Sequence, residues 1–153
     1  MAHRTQNNRS SKINGYAFRL RPHDDLRKCI LQFAKTNKLK AGAIVSGVGS
    51  LEQFNIRFAN QPGGTIKKGF FEIVSLTGTF SDASCHLHIS VSDPEGQTIG
   101  GHLLDENLIY TTAEIVVINL GDLEFKRITD PTYNYKELVV SRIRWENRGR
   151  GCP

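Results

Sequence analysis

The sequence predicts an α+β domain, with a mainly antiparallel central sheet of about seven strands and flanking helices. At 153 residues the chain has room for one hydrophobic core and not for a second independent one. One stretch repeats its apolar residues at helical spacing, while the others alternate with a period of two or run short and apolar between turn signals. One clear helical stripe beside many strand candidates implies a sheet covered by helical elements.

Residues 16–21 (YAFRLR) alternate apolar and basic side chains, as a half-buried strand does, and Pro22 closes them. Asp24 is placed to cap a helix, with Asp25 in its first turn suiting the helix dipole. Leu26, Ile30, Phe33 and Ala34 then form one apolar stripe reaching about Asn37. Residues 41–49 (AGAIVSGVG) read as a buried strand approached closely by another backbone, and residues 50–59 (SLEQFNIRFA) alternate again. Asn-Gln-Pro-Gly-Gly at 60–64 is a turn signal. Residues 69–80 (GFFEIVSLTGTF) predict a long strand bent at Gly78, residues 84–92 and 97–104 a hairpin, and residues 108–121 another long strand. From Asp130 and Pro131 onward an extended end segment is expected. The implied organisation is a flexible basic lead over 1–14, the domain over 15–141, and a basic tail over 142–153.

The net charge of +5 permits anionic partners, but its distribution matters more than its sum. Basic residues gather at the start (Arg4, Arg9, Lys12), after the helix (Lys35, Lys38, Lys40) and at the end (Arg142, Arg144, Arg148, Arg150). Such ends read as solvated termini on a near-neutral body. No apolar run is long enough to span a bilayer as a helix, and the polar start carries no secretory signal. The expected setting is intracellular, cytoplasmic or nuclear. Cys29, Cys85 and Cys152 are odd in number and lack metal-finger spacing, which argues against a disulfide framework. Cys29 and Cys85 read as core residues.

The chemistry concentrates in the hairpin. Asp93-Pro94-Glu95-Gly96 suits a type I turn followed by a left-handed glycine, a three-residue loop with a bulge. Asp93 then pairs with Gln97, His88 lies opposite His102, and His86 lies opposite Leu104. Cys85, Leu87, Ile89 and Val91 point one way; His86, His88 and, across the ladder, His102 point the other. Opposed Cβ atoms stand about 4.5–5.5 Å apart and same-face neighbours roughly 6.6–6.8 Å. Three imidazoles can therefore reach one ion at about 2.0–2.1 Å, a donor set that suits zinc. A two-residue turn would instead send His102 to the opposite face. The reading that competes with a Zn2+ site is a hydrogen-bonded histidine cluster at a subunit contact.

The stretches GFFEIVSLTGTF, CHLHISVSDPEGQTIGGHLL and TAEIVVINL resemble the PPC domain, shared by plant AT-hook nuclear proteins and stand-alone prokaryotic proteins. Gly69, Phe71, Glu72, Ile73 and Val74 match the family's Gly-x-Phe-Glu-Ile-Leu segment, with valine for leucine. His86, His88, Gly100, Gly101 and His102 match its histidine and Gly-Gly-His pattern. The resemblance covers residues 16–140 and implies an antiparallel sheet with flanking helices, a homotrimer, and a metal on these histidines in stand-alone members. In plant members the domain associates with itself and with other nuclear proteins, while a separate AT-hook grips DNA. Here the tail departs from that hook: Arg148-Gly149-Arg150 is followed by Gly151, and Pro153 comes too late.

Three functions compete. The first is a stand-alone, trimer-forming interaction domain, partnered by itself and by other proteins, with zinc stabilising or marking the assembly. The second is a metal-dependent hydrolase or lyase, for which Glu72, Glu114 and Asp105 are candidate bases by chemistry alone. The third is DNA binding through the basic ends, Arg148 and Arg150 above all; the body shows no interleaved basic and aromatic stripe.

Overall fold

Two sixteen-residue strands, β2 (Gly42–Arg57) and β3 (Thr65–Phe80), form the backbone of the architecture in a computed structural model that describes residues 9–132 and 134–143. Around them stand β1 (Ile13–Leu20), α1 (Leu26–Thr36), β4 (Cys85–Ser92), β5 (Thr98–Leu103) and β6 (Leu108–Leu120). A separate antiparallel hairpin of β7 (Leu123–Thr129) and β8 (Lys136–Arg142) completes the described residues. The main sheet is antiparallel throughout, in the order β1-β6-β2-β3-β4-β5. Its last strand also returns to β2, pairing Ile56 with Leu103 and Arg57 with His102.

The fold is thus mostly β. The expected helices flanking a seven-strand sheet reduce, among the described residues, to α1 beside eight strands. The two strands expected over residues 41–59 are one strand, β2. Irregular pairings at Ile44/Ser46, Gly49/Leu51 and Leu51/Gln53 keep β2 continuous while bending it. The extended end segment resolves into β8, and its partner β7 was not foreseen.

The single helix follows from its stripe. Leu26, Ile30 and Ala34 are each 0% exposed, and burying an Ile or Leu side chain contributes roughly 1.5–3 kcal/mol. Phe33 stacks on Phe18 of β1 at 4.2 Å between ring centroids. The cap lies one residue later than expected. Asp25 is the N-cap, accepting from the Lys28 backbone N–H at 3.2 Å, while Asp24 accepts from the Arg21 N–H before the helix. Asp25 wins because its extended backbone (φ −83°, ψ 113°) aims its carboxylate at the first turn.

Below the helix, Leu51, Phe54, Ile56, Phe71, Ile73, Leu87, Ile89, Val91 and Leu103 join α1 in one core on the inner face. Cys29 and Cys85 pack against it half-buried. The outer face turns Val48, Phe70, Tyr110 and Val116 to the surface. Among the described residues, no helix is long and apolar enough to cross a membrane.

Candidate metal centre

Strand periodicity builds the site. On β4, Leu87, Ile89 and Val91 enter the core at 1%, 2% and 0% exposure, so His86 and His88 must face outward. Gly78 of β3 permits the close pairing behind them. It sits opposite Leu87 at φ +133°, and a Cβ there would meet the His86 carbonyl oxygen at 2.1 Å.

The hairpin turn forms as expected. The Asp93 N–H donates to the Gln97 carbonyl at 3.0 Å, and Gly96 takes φ +81°. Asp93 Oδ1 further accepts from the Glu95 and Gln97 N–H groups. The register runs from Ser92 opposite Thr98 to His88 opposite His102, so His102 shares the outer face with the β4 histidines. It stops there. Leu104 does not pair with His86, whose ladder partner is Thr79 of β3. The chain leaves β4 because β5 is drawn to β2, where the Leu104 N–H donates to the Asn55 carbonyl at 3.2 Å. Asn107, fully buried, fastens this departure. Its side chain accepts from the Asn55 N–H and donates to the carbonyls of Asn55 and Leu104. Nothing in the local sequence marked Asn107 for this task.

His86, His88 and His102 converge, with one ring nitrogen of each lying within 4.8 Å of the others. The Nε2 atoms of His86 and His88 are 3.2 Å apart. Two nitrogens bound to one tetrahedral zinc at about 2.0–2.1 Å stand roughly 3.3 Å apart, so this pair fits a shared ion. His102 must close in to complete the set. Its Nδ1 is buried with no hydrogen-bond partner among the described residues, a state that costs about 1–3 kcal/mol until something meets the atom.

Two of the three rings are biased toward the neutral form. Burial, followed by the charge of His86 and of Arg57, pushes His102 down to about 4. Burial and then Arg127 lower His86 as well. Neutral imidazole is the ligand form. One contact stands against a loaded geometry: Arg127 of β7 donates from Nη1 to His86 Nδ1 at 2.9 Å and from Nη2 to Thr79 Oγ1 at 3.1 Å. Metal-bound histidines ordinarily donate from the second ring nitrogen, so Arg127 must move for His86 to bind through Nε2.

A cleft of about 720 Å³ opens beside the cluster, between the ends of β4 and β5 and the β7–β8 hairpin. His86 and His102 line it with Arg57, Arg127 and Glu137. None of these three neighbours was singled out from sequence. The alternation in residues 123–129 (LEFKRIT) was the available signal for β7 and Arg127.

Two of the three acids chosen by chemistry lie away from the cluster, and the third is already paired. Glu72 pairs with Ser92, four residues and about 13 Å along β4 from His88. Glu114, on β6, is three strand spacings from β4, roughly 14 Å. Asp105 is held by Arg27 at 2.5 Å. Of the family-like segment, Phe71 and Ile73 are core residues at 4% and 5% exposure, while Glu72 and Val74 face outward. Phe71 meets Phe54 edge-on at 4.8 Å, and Gly69 (φ +154°) lies close behind its ring. Arg148, Arg150 and residues 1–8 of the basic lead lie outside the described residues.

Comparison with known proteins agrees with this architecture. A hypothetical protein from Salmonella cholerae-suis superposes with a TM-score of 0.86 at 36% identity, covering 88% of this chain and 97% of that one. A metal-containing protein from Archaeoglobus fulgidus shares the fold at a TM-score of 0.72 and 24% identity, covering 85% of this chain and 96% of that one. The bifunctional protein GlmU of Synechococcus sp. (strain JA-3-3Ab) is 38% identical over 134 residues, which are 88% of this chain but only 22% of that relative's length. The model of the Plants and Prokaryotes Conserved (PCC) domain matches residues 8–121, the span that holds the histidine cluster and the sheet carrying it. The chain belongs to the PCC domain family.

Proposed function

We propose that this chain acts as a trimer-forming interaction domain that holds zinc on His86, His88 and His102. One observation carries the reading: the three imidazoles share the outer face of the sheet with an uncovered apolar surface. Val48, Phe70, Tyr110 and Val116 are exposed there at 50%, 59%, 43% and 38%. Phe70 and Tyr110 pack against each other at 4.7 Å between ring centroids, forming one patch. Contiguous exposed apolar surface marks an interaction site, and in a closed ring of three copies each chain packs this face against a different surface of the next. The downward shifts of His86 and His102 and the 3.2 Å nitrogen pair support a zinc-sized ion. The metal-containing Archaeoglobus protein, which has the same fold, lends further support.

Light scattering combined with metal analysis of the purified chain tests this. The expected result is a mass of three chains, independent of micromolar concentration, with one zinc per chain. Phe70→Glu should break the assembly while leaving the zinc content intact. A wild-type monomer would refute the assembly, and a chain that takes up no zinc would refute the metal.

The cleft favours one second reading, a metal-dependent hydrolase or lyase. Bound zinc would polarise a substrate oxygen. Glu137, the acid lining the cleft, would then be the group to accept a proton, in place of Glu72, Glu114 or Asp105. Turnover of a model ester that requires both zinc and Glu137 would move this reading to first place.

A further inference from the structure

We propose that the cleft beside the histidine cluster binds a small organic anion, a carboxylate or phosphate on an apolar body, gripped by Arg57 and Arg127. Five cationic side chains line the cleft (Arg27, Arg57, Lys126, Arg127 and Lys136) against one acid, Glu137. Two of the five are already matched: Arg27 by Asp105 at 2.5 Å and Lys126 by Glu124 at 3.0 Å. Among the described residues, Arg57 and Lys136 make no ion pair. Among the described residues, Arg127 makes no ion pair and donates to His86 and Thr79.

Part-buried guanidinium groups without a carboxylate leave a positive field in a confined space, which draws anions and strengthens their hydrogen bonds. The planar fork of arginine matches a carboxylate or phosphate with two parallel bonds. Phe125, Ile128 and Tyr135 supply an apolar wall, so the ligand needs a body as well as a charged head. The volume, about 720 Å³, admits a small molecule.

Arg127 also couples this cleft to the cluster, a step that rests on the zinc reading above. Its guanidinium can only donate, so His86 Nδ1 accepts and the proton of the neutral ring sits on Nε2. With Nε2 given to a metal, the proton belongs on Nδ1, where it opposes Arg127 donor to donor. The guanidinium then turns from His86 toward the cleft. Zinc and anion thus favour each other.

Calorimetric titration with phenyl phosphate and with benzoate, on zinc-free and zinc-loaded full-length chain, tests the proposal. The stronger ligand of the two identifies the preferred head group. In zinc-free protein, Arg57→Gln should weaken that ligand about tenfold. Zinc loading should tighten binding to wild type several-fold, and Arg127→Gln should remove that tightening. Circular dichroism and zinc content verify that both variants are folded and loaded. Failure of both probes to bind either form overturns the anion site, as does binding that is indifferent to Arg57→Gln. Equal tightening in Arg127→Gln shows that the ion itself holds the anion, which overturns the coupling. A wild type that takes up no zinc refutes the metal reading and the coupling, while the Arg57→Gln titration still decides the anion site.

Discussion

His88 stands directly across the β4–β5 ladder from His102, with 5.6 Å between ring centroids. Their strands set the two rings opposite each other, and the His88 ring also meets His86 at 3.2 Å between Nε2 atoms. His88 lies at the surface, so its loss costs the fold little, within about 0.5 kcal/mol for an exposed position. His88→Ala should therefore melt like wild type yet lose stoichiometric zinc, because two histidines make a poor tetrahedral set. Metal analysis after gel filtration reads this out. Zinc retained at one per chain would show that the ligands are other residues.

The pairing behind the site is as demanding as the ligands. Gly78 has positive φ and sits with the His86 carbonyl where a Cβ would be. Gly78→Ala should lower stability by about 1–3 kcal/mol from backbone strain alone, and push His86 away from His88. Urea denaturation measures the first effect and zinc affinity the second. A variant with wild-type values for both would mean that β3 and β4 are less tightly paired than their register implies.

Much of this site was legible in the residues themselves. Asp93-Pro94-Glu95-Gly96 determines loop length through local bonds to Asp93 Oδ1, and loop length sets the register that places His102 opposite His88. The α1 stripe was readable because its buried residues recur at helical spacing, although the cap was displaced by one residue. What could not be read depends on long-range closure. The return of β5 to β2 rests on Asn107 bonding to Asn55, partners 52 positions apart. Arg127 reaches His86 from 41 positions away, through a hairpin whose seven-residue strands bury little. Pattern reveals which face a strand buries, not which distant strand arrives beside it.

Acid should weaken the metal-free chain through His102. Its folded-state value, about 4, lies below the ordinary 6.5 because burial disfavours the charged ring. Between those values the unfolded chain binds a proton that the folded chain refuses, so stability falls as pH drops from 6.5 toward 4 and is complete above that window. His102→Asn, which cannot titrate, should show a flatter melting temperature across the same range, with other groups contributing equally to both curves. Parallel curves for wild type and variant would contradict the burial of His102.

The basic tail offers the remaining contrast. If Arg148 and Arg150 grip DNA, each phosphate contact releases counterions, and log affinity falls with log salt at a slope near −0.9 per contact. A minor-groove hook would also prefer A·T-rich duplex, where the groove is narrow and strongly negative. This tail has Gly151 where a hook's proline would hold the arginines extended. The expectation is weak binding, indifferent to sequence and lost at physiological salt. Fluorescence anisotropy with matched A·T-rich and G·C-rich duplexes, at two salt concentrations, measures both quantities. Deleting residues 148–153 should leave zinc content and assembly mass unchanged, because the cluster and the apolar face are built from β2 to β6. Tight, A·T-selective binding that disappears with the deletion would instead make the tail the functional element and the domain its carrier.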